Sequence, residues 1–383
     1  MDLIYSNKTE RQVLWQLFCD ILQHASCNLS EKLNCAALPH VLRPTLSTSE
    51  IKQLNHPYFL ALIKKHRIVN VFYNTVTQMI SPAISGLALE YLKPMKVESL
   101  KNSRQYLLQK ACLLRVEKIF KTHFIEYIVM KGVALQEQLF GRDAARSMKD
   151  IDIIIDQPQF LTVHQLLLGH GFACKMGDVS ALSPKKIRAM VKIKKDLTYV
   201  EPRSGVFVEL HWRVQLNSLI DFSGYFGQRT QQVVYSLSDV DNFIYLMSHA
   251  GQHSWFRLKW LLDLALFVQQ VDFDWYAVTQ VVIEKRLVRP FFELKLLLQQ
   301  FFSIEIPSIP INSIDRFICR CRLRWGPVAW QHPICMVRTG FVGRAIAYFG
   351  VLFDMHAFGF KPMIQYVRVR VLNELFHRKY KLE

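Results

Sequence analysis

From Glu10 to about Phe124, apolar residues recur three and four positions apart in RQVLWQLFCDIL, HPYFLALIKKHRIVNVFYNTV and SRQYLLQKACLLRVEKIF, which predicts an all-helical opening. The period then shortens. EYIVMKG, Glu126 to Gly132, reads as a short strand closed by glycine, and KDIDIIID, Lys149 to Asp156, reads as a second, with a helical GVALQEQLF between them. PQFLTVHQLLLGHGF predicts a further helix with stop signals at Gly169 and Gly171. After a basic stretch from Lys185 to Lys195, the run LTYV, EPRSG, VFVELHW predicts a hairpin. Helical periodicity returns from about Asp239, in VDNFIYLMSHAGQHSWFRLKWLLDLALFVQQV and beyond. The pattern divides the chain into a helical region over 1–115, an α/β core over 116–235 and a second helical region over 236–383, with no internal repeat and no low-complexity tract.

The chemistry concentrates in the α/β part. Asp150 and Asp152 interrupt an otherwise apolar strand, where a carboxylate is costly unless a metal, a cation or hydrogen bonds compensate it. Strand residues two apart share a face, so the two aspartates project together while Ile151, Ile153 and Ile155 enter the core. In VFVELHW the same alternation sends Val206, Val208 and Leu210 inward and Glu209 and His211 outward, and neighbouring strands would make Glu209 a third carboxylate. Three carboxylates suit two Mg²⁺ ions that activate an attacking oxygen and neutralise a triphosphate. An Asp-x-Asp pair alone is weak, because solvent-facing strand ends often carry such acids.

Taken together, MKGVALQEQLFGRDAARSMKDIDIIID resembles the uncharacterised nucleotidyltransferases of the DNA polymerase β-like superfamily. There an apolar strand, Lys-Gly, a helix ending in an aromatic, Arg, and a strand with Asp-x-Asp follow one another. Here these are Lys131-Gly132, Phe140, Arg146 and Asp150-Ile151-Asp152. LLLGHGF, VELHW and SHAGQHSWFRLKWLLDLA resemble the family's later signatures, so the resemblance covers roughly Leu107 to Phe267. It implies an α+β protein whose small mixed-sheet polymerase β-like core is flanked by N- and C-terminal helical regions. It also implies an Mg²⁺-dependent enzyme that moves a nucleotidyl group from an NTP to an acceptor hydroxyl. Asp150, Asp152 and Glu209 would hold two Mg²⁺, and Lys131, Gly132 and Arg146 would hold the triphosphate. Members of the family are often associated with bacterial surface-polysaccharide synthesis, which makes a sugar or glycan precursor one acceptor; RNA and protein stay open. The wider superfamily places Gly-Ser where this chain has Lys131-Gly132, so a lysine charge stands in for a hydroxyl or the donor is held differently. The rival reading is a nucleotide-binding scaffold or sensor with the same fold and little turnover.

Other residues carry two readings each. Lys131 is a phosphate ligand or an internal counter-ion for the aspartates, and Arg146 clamps phosphate or pairs with an acid. His211 orients Glu209, contacts substrate or is structural. His249 and His253, one turn apart, are expected to line a cleft or contact substrate, with Lys259 and Asp263 forming an i,i+4 pair. SPKKIRAMVKIKKD steers an anion or is a solvated face.

Charge and cysteine content extend this picture only slightly. With 48 Lys and Arg against 31 Asp and Glu, the formal charge of +17 favours anionic partners such as nucleotides, nucleic acid or an acidic lipid surface. Cys19, Cys27, Cys35, Cys112, Cys174, Cys319, Cys321 and Cys335 include no CxxC pair and read as reduced thiols. MDLIYSNKTERQVLWQLF lacks the order of a secretory signal, and the apolar run Gly340 to Phe353 is short and contains Arg344, so no transmembrane segment is expected. A cytoplasmic place follows, with the basic segment from Ile311 onward leaving a peripheral contact at the inner membrane face or with nucleic acid open.

Overall fold

In the structure, a computed structural model, residues 13, 16–22, 46–80, 85–140, 146–214, 220–227, 234–270 and 273–330 are described. Local chemistry sets the helix ends. Ser47 caps the Thr48–Gln53 helix reciprocally: Glu50 N donates to its Oγ at 3.3 Å, and Ser47 N donates to the Glu50 carboxylate at 2.9 Å. The long stripe in HPYFLALIKKHRIVNVFYNTV forms two helices, Pro57–His66 and Val69–Met79, rather than one. The break falls at Arg67, left-handed at φ 57°, whose N–H bonds back to the Lys64 carbonyl. Apolar spacing continues on both sides of that turn and so hides it. Ser85–Thr122 follows as one helix of 38 residues.

The described residues fall into two compact units. One takes those up to Arg104, then Gln136–Ser147, then those from Leu246 onward; the other takes Gln105–Leu135 and Met148–Tyr245. The first unit is helical. Its core includes Phe18, Phe59 and Phe72, with the Phe18 and Phe72 rings 4.8 Å apart. Further along, Glu293 is buried in the Val288–Phe302 helix and accepts from Trp255 Nε1 at 2.8 Å, with Arg322 Nε at 3.2 Å. That carboxylate is costly to bury and is tolerated because an indole donor and a guanidinium meet it.

The second unit carries the sheet: β1 (Tyr127–Met130), β2 (Asp150–Ile155), β3 (Ala173–Cys174), β4 (Asp196–Val200), β5 (Phe207–His211) and β6 (Val234–Tyr235). The strand order is β3-β4-β5-β2-β1-β6. β2 is antiparallel to β1 and parallel to β5, while β4 and β5 form the expected antiparallel hairpin. In its turn, Gly205 at φ 68° donates to the Glu201 carbonyl at 2.8 Å. The Glu201 carboxylate accepts from Ser204 N and Oγ at 2.7 and 2.8 Å and pairs with Arg115. The α+β class with a mixed sheet and flanking helices is therefore the observed one.

One expectation about β2 changes. Ile151, Ile153 and Ile155 are buried as expected, but so is the opposite face, where Asp152 is 1 % exposed and Ile154 is 3 % exposed. A central strand with partners at both edges is covered on both faces and reads as an apolar run. Asp152 is the exception inside it.

Below the sheet's outer strands, His164 of the Phe160–Gly169 helix lies fully buried. Its Nε2 accepts from Val179 N at 3.1 Å, so the proton sits on Nδ1, which faces the Tyr199 hydroxyl at 2.7 Å. Burial lowers its pKa from the ordinary 6.5, against the opposing pull of Asp178. The unfolded chain therefore binds a proton more readily than the native one. This contribution to stability is intact above pH 6.5 and declines as pH falls below it, by at most about 1.4 kcal/mol per pH unit. Urea unfolding of wild type and His164→Gln at neutral and mildly acidic pH should show the steeper acid loss in wild type; parallel losses would refute the assignment.

Candidate active site

Strand register assembles the site. In the parallel β2–β5 pair, Asp152 lies opposite Glu209 and Ile154 opposite His211; across the hairpin, Asp196 lies opposite His211 and Thr198 opposite Glu209. Polar residues two apart on adjacent strands thus share one face of the sheet. Ligand atoms of Asp152, Glu209 and His211 lie within 4.8 Å of one another. Asp152 Oδ1 accepts from His211 Nε2 at 3.1 Å and faces Lys131 Nζ at 3.3 Å. The same His211 nitrogen is 3.6 Å from Glu209 Oε2. Asp196 Oδ2 lies 3.7 Å from His211 Nδ1 and takes Lys195 Nζ at 2.7 Å.

The charges balance closely. Burial alone would push the Asp152 carboxyl up, but Lys131 and His211 outweigh it and hold the group well below the usual carboxylate range. Burial works against the Lys131 charge as well; Asp152 first, then Tyr245, Asp150 and Glu209, overcome it, so Lys131 is an ammonium. For His211, burial and Lys195 oppose protonation, whereas Asp152, Glu209 and Asp196 favour it and raise the pKa. The Tyr245 hydroxyl hydrogen-bonds Lys131, and burial pushes its pKa up to about 12, so it stays neutral. The cation demanded by a carboxylate in this strand is Lys131.

Lys131 holds that place at a backbone cost. It has φ 36° and Gly132 has φ 52°, two successive left-handed residues that open the Gly132–Phe140 helix. A Cβ on Gly132 would meet the Asp150 carbonyl oxygen at 3.6 Å, an ordinary contact, so the glycine is required by its φ and not by crowding. A lysine at positive φ is a strained choice, of the kind kept at functional turns.

Two buried polar atoms test whether a divalent cation would fit. Asp152 Oδ2 and His211 Nδ1 have no hydrogen-bond partner among the described residues. A carboxylate oxygen left unsatisfied in a buried site, with a second carboxylate and an imidazole nitrogen within 4.8 Å, is a donor set such a cation would complete. Asp150 opens β2 on the Asp152 face, half-buried, and His211 takes the third place in the close set. Glu209 keeps 29 % of its side-chain surface against 1 % for Asp152, so Glu209 marks the open side of the site.

Arg146, His249 and His253 belong to the first unit. Arg146 Nε bonds both oxygens of Asp263 at 3.0 Å, and Gln136 Oε1 accepts from its backbone N at 2.7 Å. Asp263 thereby serves Arg146, and Lys259 donates to the Ser147 carbonyl at 3.0 Å in place of the expected i,i+4 pair. Burial, then Arg146, lowers the Lys259 pKa well below its ordinary value. His249 and His253 pack into an aromatic cluster, His253 stacked on Trp260 with centroids 5.4 Å apart. Sequence reasoning missed Lys195, Asp196 and Tyr245. The hairpin turn could have yielded Asp196 by counting back the register from His211, whereas Tyr245 carries no signal inside an apolar helix.

The basic stretch forms the Pro184–Ile193 helix, with Lys185, Lys186, Arg188 and Lys192 exposed. Cys19, Cys112, Cys174, Cys319 and Cys321 are free thiols, while Cys27, Cys35, Cys335 and the Gly340 to Phe353 run lie outside the described residues. Among the described residues no helix is long and apolar enough to cross a membrane.

A mixed sheet that brings carboxylates of adjacent strands together beside a lysine-bearing strand-to-helix turn is an arrangement suited to phosphate chemistry. Residues 52–303, more than half of the chain, match the family model described as uncharacterised nucleotidyltransferase. The chain belongs to that family and is a nucleotidyl-transferring enzyme. No curated protein and no solved structure matches it.

The Arg146–Asp263 pair yields a stability prediction. Both side chains are almost fully buried, so Asp263→Asn should strand the guanidinium and lower stability by roughly 3–5 kcal/mol. Chemical denaturation checks it; a loss below about 1 kcal/mol would mean the pair is solvated and weak.

Proposed function

We propose that the protein transfers a nucleotidyl group from a nucleoside triphosphate to an acceptor hydroxyl, with Asp150, Asp152 and Glu209 holding Mg²⁺ and His211 orienting Asp152. The observation that carries this reading is the unsatisfied, buried Asp152 Oδ2 with Glu209 and His211 beside it. When bound, Mg²⁺ supplies charge for the triphosphate and lowers the pKa of the acceptor hydroxyl. The protein's own residues do the remaining work. Lys131 and the amides that open the Gly132–Phe140 helix receive the phosphates. His211 holds Asp152 Oδ1 in orientation at 3.1 Å. Glu209, at the open side, accepts the proton of the acceptor hydroxyl. The acceptor oxygen then bonds to the α-phosphorus, the bond from that phosphorus to the bridging oxygen breaks, and pyrophosphate leaves. Positioning and charge neutralisation account for catalysis.

Arg146, committed to Asp263, anchors the segment leading into β2 in this reading rather than the triphosphate. A hydroxyl on a sugar or glycan precursor is the first acceptor to test, and an NTP donor places the reaction in the cytoplasm. The exposed lysines and arginine of the Pro184–Ile193 helix suit an anionic acceptor. A nucleotide-binding scaffold with little turnover is the second reading, and one observation favours it: Lys131 already neutralises Asp152.

Incubation with α-labelled or γ-labelled NTP, Mg²⁺ and a cell extract separates the readings. Transfer of the α-label is expected; transfer of the γ-label alone would indicate a kinase, and transfer of neither would favour the scaffold. Asp152→Asn should reduce α-label transfer to background. It should also lower stability, by up to roughly 3–5 kcal/mol, because Lys131 loses its buried partner. Wild-type transfer by this variant would make Asp152 purely structural.

A further inference from the structure

Asp152 Oδ1 already has two donors, Lys131 Nζ at 3.3 Å and His211 Nε2 at 3.1 Å. Asp152 is 1 % exposed and the Lys131 side chain 16 %, so little water screens the pair. Among the described residues the Tyr245 hydroxyl, a neutral group, also hydrogen-bonds the Lys131 side chain. A divalent cation taken up by Asp152 would therefore arrive beside an ammonium facing the same carboxylate. The two charges compete for one anion in a poorly screened space.

We infer that Lys131 is a built-in stand-in cation: it occupies Asp152 when the site holds no metal, and it must swing off that carboxylate for a divalent cation to bind. The destination is adjacent. Lys131 sits at the turn whose following amides open the Gly132–Phe140 helix, where the terminal phosphates of a triphosphate would gather. Its backbone is left-handed at that turn, φ 36°. Released from Asp152, the ammonium meets a phosphate, and the phosphates in turn offer oxygens to the cation on Asp152. Metal and triphosphate therefore bind cooperatively, each weakly alone, and the enzyme without nucleotide keeps its carboxylates neutralised without a resident metal. This inference rests on the nucleotidyl-transfer reading of the site.

Titration with Mn²⁺, followed by the electron paramagnetic resonance of the free ion, tests it without turnover. Wild type should bind Mn²⁺ weakly alone and at least tenfold more tightly with a non-hydrolysable triphosphate analogue. Lys131→Met should bind Mn²⁺ alone about tenfold more tightly than wild type, lose most of the gain from the analogue, and melt at a lower temperature unless Mn²⁺ is present. Lys131→Gln, which keeps a hydrogen-bond donor without the charge, should behave in the same way and covers the case in which the methionine variant does not fold. If wild type binds Mn²⁺ and both foldable variants bind it no more tightly, the stand-in role is overturned while the proposed function survives. If neither wild type nor variants bind Mn²⁺ with or without the analogue, the metal-dependent reading and this inference fall together.

Discussion

Asp152 is ionised at 1 % exposure in a strand paired on both edges, and the rest of the second unit is arranged around that cost. A lone carboxylate there would be prohibitive. Lys131 reaches it from the end of β1, which is paired antiparallel to β2 with Met130 opposite Asp152. His211 reaches it from β5, paired in parallel on the other side. The compensation is therefore built from both neighbours of one strand. A one-residue slip in either pairing would turn these side chains to the opposite face and leave the charge alone.

The same constraint links fold to chemistry. β5 continues the hairpin from β4, whose turn is locked by Glu201, Ser204 and Gly205, so the hairpin's register fixes His211 opposite Asp196 and Glu209 opposite Thr198. That register delivers Glu209 beside Asp152 with its surface partly open. A buried acid, an open acid and an imidazole within 4.8 Å form an asymmetric set: in the proposed function the deep member would anchor a cation and the shallow one would meet the substrate. The lysine that stabilises the deep acid also stands at the turn that opens the Gly132–Phe140 helix, the place the proposed function gives to the phosphates. Stability in the absence of ligand and affinity in its presence thus draw on one side chain.

Much of this was legible in the sequence because strands and helices have different periods. The β1–helix–β2 succession, the hairpin and the projection of Glu209 with His211 all follow from alternation, and Lys131 was foreseeable as a counter-ion because an aspartate in an apolar strand requires one. Alternation does not reveal whether the far face of a strand meets solvent or protein, so the burial of Asp152, Ile154 and His211 was hidden. Pairing across long sequence separation was equally hidden: Arg146 finds Asp263 117 positions away, and nothing local distinguishes that partner from a phosphate. Helix breaks at Arg67 and at Ser254–Trp255 use left-handed residues that are not glycine, so the usual stop signal is missing. The family resemblance supplied what periodicity could not, namely that the chain belongs to a nucleotidyltransferase family.

The central claim is that the Asp152 carboxylate exchanges a lysine for a divalent cation. Anomalous diffraction from crystals grown with Mn²⁺ and a non-hydrolysable triphosphate tests it most directly. The account predicts an anomalous peak bonded to Asp152 and Glu209, with Lys131 Nζ moved away from Asp152 and onto the phosphates. A peak at any other carboxylates, or a nucleotide bound while Lys131 stays at its 3.3 Å contact with Asp152, would contradict it.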